Sequence, residues 1–220
     1  WINYPHMPTG TRGSMKLLEK FVSFAHRKNI LVVNDNPYSF ILNREYNSIL
    51  AVTGARDAAL ELNSLSKSHN MAGWRIGMLA GNSEYLKSVI KVKSNMDSGM
   101  FLPMQLAAAE ALGNPGSWYD VVNKKYRERR KLAGSIMDLL SCSYDSEQVG
   151  LFLWGRLSAE VQSCDDFVED ILNNTHVFLT PGFIFGSNGD RFIRISLCAT
   201  EKRLEEAAER IKQYIKQKQS

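Results

Sequence analysis

Residues 64–77 of the chain read SLSKSHNMAGWRIG, and this stretch joins two short apolar runs at residues 58–65 and 76–80. Apolar runs of this length, bounded by turn residues, are typical of buried strands. A third run covers residues 30–33, directly after a predicted helix over residues 14–28. The alternation of strands and helices predicts an α/β domain with a largely parallel sheet.

Local patterns give each of these elements a predicted environment. The run at residues 30–33 is apolar at every position, so we expect a strand that is buried on both faces. A second helix is predicted over about residues 83–94. On the first helix, the 3.6-residue period places five side chains on one apolar face, namely Leu17, Leu18, Phe21, Phe24 and Ala25.

A boundary is predicted at residues 113–116, where the sequence GNPG places two glycines and a proline within four positions. We therefore expect one domain over residues 1–113 and a smaller α+β domain over residues 114–220. In the smaller domain, Thr200 is expected to be the N-cap of a closing helix that begins at Glu201. The other predicted elements are a long helix over 117–140, a helix over 165–173, and strands at 151–157, 177–179 and 192–197.

Composition and motif content argue against several classes of protein. The 27 Lys and Arg residues exceed the 23 Asp and Glu residues by only four charges, too few to indicate a nucleic-acid surface. No stretch approaches the ~18 consecutive apolar residues of a membrane span. The serine-hydrolase pattern G-x-S-x-G and the phosphate-loop pattern G-x-x-x-x-G-K-[ST] are absent from the sequence. Neither nucleic acid nor a membrane is therefore an expected partner.

The cysteines and histidines show no metal-site spacing. Cys142, Cys164 and Cys198 lie far apart without a C-x-x-C pair, and the four histidines form no H-E-x-x-H pattern. The sequence therefore predicts neither a disulfide framework nor a bound metal. Three free thiols favour a reducing compartment, and we expect a cytoplasmic protein.

Candidate functional residues are predicted where the strands end. Asp35 and Tyr38 come after the run at 30–33, and Lys67 comes after the run at 58–65. Ligands of open α/β sheets bind in the crevice outside the carboxyl ends of the strands. These three side chains are therefore expected to lie at a binding site.

The stretch at residues 64–77 resembles the pyridoxal-phosphate lysine signature of class I and II aminotransferases. Small residues precede Lys67, and glycine, arginine and glycine follow it at positions 73, 75 and 77. The resemblance implies that Lys67 forms a Schiff base with the aldehyde of pyridoxal 5′-phosphate and later moves a proton at the substrate α-carbon. It also implies that Arg75, Ser64 and Ser66 bind the phosphate of that cofactor.

Two further segments are similar to motifs of the same family. Residues 35–38 read DNPY and match the D-x-x-Y pattern, which implies that Asp35 contacts the cofactor ring nitrogen and Tyr38 its phenolic oxygen. Residues 5–10 read PHMPTG and resemble the N-P-x-N-P-T-G turn, with two differences. Tyr4 stands where the first asparagine is common, and Met7 replaces the second, which in the family usually contacts the phenolic oxygen of the cofactor. A thioether accepts hydrogen bonds weakly and donates none. We therefore expect a higher Schiff-base pKa than in relatives that carry asparagine.

An arginine in the last predicted strand completes the candidate site. In the strand at 192–197, Ile193 and Ile195 share one face while Arg194 lies on the other. An arginine among apolar strand residues requires an anionic partner, either a ligand or a protein carboxylate in a buried ion pair. By resemblance to the family, Arg194 is expected to bind the substrate α-carboxylate.

The resemblance extends over essentially the whole chain and implies its fold and activity. The implied fold is part of a mixed, mostly parallel sheet with helices. Residues 1–113 would form the C-terminal part of the large cofactor-binding domain, and residues 114–220 would form the small α+β C-terminal domain. The implied reaction is amino-group transfer between an amino acid and a 2-oxo acid in a homodimer. Family members carry a further upstream region, so this chain is expected to be N-terminally truncated and weakly active alone.

Two other functions stay open on the same residues. One is carbon–sulfur β-elimination on the same cofactor scaffold, and the other is a non-catalytic cofactor-binding or interaction domain. The amino-acid substrate is not fixed by the sequence, although residues 181–197 have some similarity to diaminopimelate-type aminotransferases.

Overall fold

The structure, a computed structural model, describes residues 1–218. These residues form two compact units. The first contains residues 1–6 and 11–122, and the second contains residues 7–10 together with the chain from Asn123 onward. Within the described range, each helix is either too short or too polar to span a lipid bilayer.

The first unit is built on a three-stranded sheet of β1 (Val32–Asn36), β2 (Ala59–Ser64) and β3 (Gly77–Gly81), in that order. Strands β1 and β2 are parallel, whereas β2 and β3 are antiparallel. The sheet is therefore mixed, and the direction of β3 departs from the parallel arrangement expected from the sequence. The 12 residues that connect the two strands, 65–76, contain only two short helical turns, whereas a parallel return usually runs through a full crossover helix.

Strand β1 lies further along the chain than the sequence predicted. Ile30 and Leu31 are 47% and 38% exposed, so the expectation of a strand over residues 30–33 buried on both faces was wrong. The strand continues through the polar residues Asn34, Asp35 and Asn36. Buried Asn34 can occupy a strand because its side chain exchanges hydrogen bonds with the backbone N and O of Tyr4.

This sheet is accompanied by helix α1 (Met15–Lys28), the short helical turn α2 (Leu65–Ser68), and the helices α3 (Ser83–Met96) and α4 (Leu102–Leu112). The helices predicted over 14–28 and 83–94 are confirmed. The buried face of α1 consists of Leu18, Val22 and Ala25, so the predicted stripe was wrong to include Phe24, which is exposed. Helix α4 was not predicted from the sequence, because its apolar residues surround the helix instead of following one face.

The second unit contains a four-stranded antiparallel sheet of β4 (Ser143–Tyr144), β5 (Phe152–Arg156), β7 (Phe192–Ser196) and β6 (Thr180–Pro181), in that order. Its helices are most of α5 (Gly116–Leu139), α6 (Cys164–Thr175) and α7 (Glu201–Lys218). The predicted helices and the strands at β5 and β7 are confirmed. The prediction of a strand over 177–179 was wrong, because the strand in this part of the chain is β6, which covers only residues 180–181. Thr200 accepts a hydrogen bond from the backbone N of Arg203 and so caps α7 as predicted.

Candidate active site

The carboxyl ends of β1 and β2 carry the candidate residues of the first unit. The two strands are parallel, with Asp35 opposite Leu62 and Asn36 opposite Asn63, so their carboxyl ends share one edge of the sheet. Tyr38 follows β1 and is buried, while Lys67 follows β2 and is half-buried. Asp35 lies inside β1 instead of after it, which corrects its predicted location.

Lys67 lies on a short helical turn, α2 (Leu65–Ser68), that directly follows β2. The Ser64 hydroxyl caps this turn by accepting a hydrogen bond from the backbone N of Ser66 at 3.2 Å. The carbonyl oxygen of Leu65 accepts hydrogen bonds from two later amides, those of His69 and Met71. The buried side chains of Leu65 and Met71 belong to one hydrophobic cluster with Ile76 and Ala108. The lysine therefore extends from a turn whose base is packed.

The polar groups around this turn have hydrogen-bond donors that could bind an anion. Ser64 uses a lone pair of its hydroxyl oxygen for the cap, so its proton is still available to donate. Ser66 is half-buried, and Arg75 is exposed with a left-handed backbone (φ 53°). One nitrogen of Arg75, Nη1, donates to the carbonyl of Ala72 at 2.9 Å. A guanidinium has five N–H donors, so this bond leaves others for a phosphate.

Gly77 is required by the contact between β2 and β3. A Cβ atom at this position would lie 2.6 Å from the carbonyl oxygen of Asn63, closer than real Cβ atoms approach a neighbour. By contrast, a Cβ atom at Gly73 would meet nothing within 4 Å. The second glycine of the lysine stretch therefore has a steric role that the first does not share.

Asp35 combines a fixed backbone with a partly desolvated carboxyl group. Its amide donates to the carbonyl of Ile2 at 2.9 Å, and its own carbonyl accepts from Asn3 Nδ2 at 2.5 Å. Burial raises the pKa of the Asp35 carboxyl above its ordinary value. A carboxylate in this environment is stabilised by a cation placed beside it, which is the environment that a protonated ring nitrogen provides.

A buried glutamate beneath this edge was missed by the sequence analysis. Glu61, in the middle of β2, accepts hydrogen bonds from Asn36 Nδ2, Ser48 Oγ and the backbone N of Ile49, each at 2.8 Å. Asn36 in turn accepts from the Ser39 hydroxyl at 2.6 Å. This network fixes the residues that flank Tyr38. The available signal was a single charged residue inside an otherwise apolar run, since a buried charge requires partners.

In the second unit, Arg194 lies on β7 with the predicted alternation. Ile193 and Ile195 are buried, and Arg194 is half-buried on the opposite face. Its guanidinium carbon lies 4.1 Å from the ring centroid of Phe152 and 4.6 Å from that of Phe185. Both rings lie over the face of the guanidinium, and this stacking restrains its orientation.

Met7 contacts Arg194, which sequence reasoning did not anticipate. The Arg194 Nη1 donates to the Met7 sulfur at 3.4 Å, although the two residues are 187 positions apart. The resemblance of residues 5–10 to the family turn associates Met7 only with the phenolic oxygen of the cofactor. A sulfur is a weak acceptor, so a carboxylate would be a stronger partner for this nitrogen than Met7 is.

Two observations concern groups outside the candidate site. Cys142, Cys164 and Cys198 are free thiols, as expected. Among residues 1–218, no group of three or more His, Cys, Asp or Glu side chains is arranged to hold a metal ion.

Comparison with protein families matches residues 1–211 to the family described as aminotransferase class I and II. The LL-diaminopimelate aminotransferase of Natranaerobius thermophilus is 36% identical over 216 residues, which are 97% of this chain and 56% of that protein. The corresponding enzyme of Aquifex aeolicus is 38% identical over 214 residues, 96% of this chain and 55% of that protein. The chain thus spans just over half the length of these relatives.

Solved structures agree with this match. The apo structure of BacF from Bacillus subtilis has a TM-score of 0.89 at 30% identity, covering 96% of this chain and 55% of that one. An aromatic aminotransferase from Pyrococcus horikoshii also has a TM-score of 0.89, at 28% identity, covering 99% of this chain and 59% of that one.

Proposed function

The chain belongs to the class I and II aminotransferase family. We propose that it is part of a pyridoxal 5′-phosphate-dependent aminotransferase. The reaction is transfer of an amino group between an amino acid and a 2-oxo acid. The observation that carries this proposal is the position of Lys67, on a packed turn at the sheet edge that also carries Asp35. Three of the similar proteins compared above are named as aminotransferases, which supports the same reaction.

The residues at this edge fit the chemical groups of the cofactor. When bound, pyridoxal 5′-phosphate supplies an aldehyde that condenses with an amine and a ring that withdraws electrons from the substrate. Asp35 would hold the proton on the ring nitrogen, since a partly buried carboxylate favours a cationic neighbour. Tyr38 would donate to the phenolic oxygen. The donors left on Ser64, Ser66 and Arg75 would bind the phosphate.

Lys67 has two tasks in this proposal. Its amine would attach the cofactor covalently, and a primary amine can do so only in its deprotonated form. Once substrate has displaced it, the free Lys67 Nζ would carry a proton from the substrate α-carbon. The packed base of α2 supports this role, because a base must stay within hydrogen-bond reach of the proton that it moves.

Arg194 would recognise the substrate by its α-carboxylate. A guanidinium binds a carboxylate through two parallel N–H···O bonds, and the stacked rings of Phe152 and Phe185 support the required orientation. This contact selects amino acids and 2-oxo acids as a class. The names of the most similar relatives make LL-diaminopimelate the first amino donor to test.

We also propose the cellular and domain context that the family implies. Residues 1–113 would belong to the large cofactor-binding domain and residues 114–220 to the small one, which is supported by the compact units that divide nearby, within α5. A homodimer and a cytoplasmic location are proposed on the same basis, and the free thiols support a reducing compartment.

Covalent trapping tests the central residue of this proposal. The chain is mixed with one equivalent of pyridoxal 5′-phosphate, reduced with borohydride, digested and mapped by mass spectrometry. We expect the label to be enriched at Lys67, to disappear from that peptide in a Lys67→Arg variant, and to persist there in a Lys87→Arg variant, which alters an exposed lysine on α3. Label spread over surface lysines without enrichment at Lys67 would contradict the proposal.

Product analysis then identifies the reaction. With LL-diaminopimelate and 2-oxoglutarate, an aminotransferase yields glutamate and the corresponding oxo acid. Pyruvate, ammonia and a thiol from an S-substituted cysteine would instead indicate β-elimination. Retention of cellular function by the Lys67→Arg variant would indicate a non-catalytic role.

A further inference from the structure

Two residues that follow Lys67 begin a buried chain of hydrogen bonds. Ser68 and His69 are only 1% and 7% exposed. The Ser68 hydroxyl lies 2.8 Å from His69 Nδ1, and the hydroxyl of Tyr119, in the first turn of α5, lies 3.2 Å from His69 Nε2. All three groups belong to the first compact unit. Neither the candidate site nor the proposed reaction uses them.

A second bond joins the same two segments. Trp118 Nε1 donates to the carbonyl oxygen of Ser68 at 2.9 Å. Trp118 and Tyr119 of α5 therefore hold the end of α2, the lysine turn, at Ser68 and at its C-cap His69. The ring of Tyr119 is itself fixed by stacking on Phe40, with ring centroids 4.7 Å apart and an interplanar angle of 14°.

The chemistry of this chain suits a neutral imidazole. A neutral imidazole has one N–H donor and one acceptor nitrogen, and each neighbouring hydroxyl can donate or accept, so either tautomer satisfies both contacts. Burial lowers the pKa of His69, which favours that neutral form. An apolar side chain of similar size would leave the buried Ser68 hydroxyl and the Tyr119 hydroxyl without this partner.

The lysine turn needs such support because it is only four residues long. A single helical turn has little stability of its own, since nucleation fixes several backbone angles for one hydrogen bond. We propose that His69 is a positioning residue for Lys67, and that together with Tyr119 and Trp118 it holds the lysine turn against α5. This inference rests on the proposed function in one respect, that Lys67 is the reacting amine.

A pair of tyrosine variants tests the proposal with a matched control. Tyr119→Phe removes the hydroxyl that contacts His69 and keeps the stacked ring. Tyr46→Phe also removes one hydroxyl from a ring beside Phe40, with centroids 4.9 Å apart, but this tyrosine is exposed. The first measurement is amide hydrogen exchange of residues 67–71 in the cofactor-free chain. We expect about fivefold faster exchange in Tyr119→Phe, as for the loss of one hydrogen bond of ~1 kcal/mol, and wild-type exchange in Tyr46→Phe.

The second measurement is borohydride trapping at Lys67 over a range of pyridoxal 5′-phosphate concentrations. For Tyr119→Phe we expect the half-saturating concentration to rise about fivefold. The yield at saturation should stay unchanged, because the amine is displaced and not destroyed. A purely structural defect would lower the yield at saturation instead, which would count against a positioning role. Trp118→Phe removes the second bond and should act in the same direction.

The two measurements separate failure of this inference from failure of the proposed function. If the wild-type chain shows no enrichment of label at Lys67, the proposed function fails, while exchange at residues 67–71 still reports on the turn. If wild type is labelled there but Tyr119→Phe matches it in exchange and in half-saturation, the positioning role of His69 is wrong. Equal effects of Tyr119→Phe and Tyr46→Phe would also overturn it, because they would indicate aromatic packing alone.

Discussion

Replacement of Glu61 by glutamine should destabilise the first unit although the two side chains have the same shape. One carboxylate oxygen of Glu61 accepts from Ser48 and Ile49, and the other accepts from Asn36. The carbonyl oxygen of glutamine can still accept hydrogen bonds from Ser48 and Ile49. Its amide group then meets the Asn36 amide, so that a donor faces a donor. Asn36 can reverse its amide only if the Ser39 hydroxyl, which donates to its oxygen, rotates to accept from its nitrogen instead.

The expected cost follows from the bond that is lost. A hydrogen bond to a charged group contributes about 1.5–3 kcal/mol, and an unsatisfied buried donor is similarly unfavourable, so we expect Glu61→Gln to lower the free energy of unfolding by about 2 kcal/mol. That is about a 30-fold change in the unfolding equilibrium. With a urea dependence of about 2 kcal/mol per molar, the unfolding midpoint should fall by about 1 M.

Urea unfolding of three variants and a control tests this reasoning. Glu84→Gln is the control, since Glu84 pairs with Lys87 on the exposed face of α3, and its effect should stay within about 0.5 kcal/mol. In the double variant, the carboxylate introduced by Asn36→Asp can accept from the amide introduced by Glu61→Gln. The double variant should therefore be more stable than either single variant. A Glu61→Gln midpoint equal to that of wild type, or a double variant that is merely additive, would refute the assigned network.

Three further outcomes follow from the ionisable groups. Burial raises the pKa of Asp35, so its ionisation destabilises the cofactor-free fold as the pH rises through that pKa. Replacement Asp35→Asn should therefore raise the urea midpoint of unfolding at pH 7 but not at pH 3. A lowered midpoint at pH 7 would contradict this. Burial lowers the pKa of His6 and His69, so NMR titration should give midpoints below about 6.5, and stability should fall as the pH drops below that value. Burial raises the pKa of Cys142 to about 11, so a thiol reagent at pH 8 should modify exposed Cys198 in the folded chain and reach Cys142 only after unfolding.

Local signals made part of this molecule predictable from its sequence. The lysine stretch, the D-x-x-Y segment and the long amphipathic helices each depend on residues close together in the chain. Their elements appear where the sequence predicted them, within a few residues. The alternation around Arg194 is of the same kind, because a strand places successive side chains on opposite faces.

The rest depends on contacts between distant residues. Strand β1 extends through Asn34 because Tyr4, 30 residues away, satisfies its side chain. Glu61 is stable in β2 because of partners 25 and 13 residues away. The contact between Met7 and Arg194 spans almost the whole chain. None of these pairs has a local pattern, so a single sequence carries no sign of which polar residue will meet which.

The candidate residues of the first unit share an environment that is unfavourable without a ligand. Asp35 is a partly desolvated carboxyl group, and Arg75 adopts a left-handed backbone at an exposed position. Lys67 lies on a single turn that has little stability alone. If the proposed function is correct, a cofactor with a cationic ring would relieve the electrostatic part of this cost, because it would place an opposite charge beside Asp35. The buried network of Glu61 and the bonds from α5 hold the backbone around these residues without a ligand, so conservative changes in those supports should weaken cofactor binding although none of them would contact the cofactor.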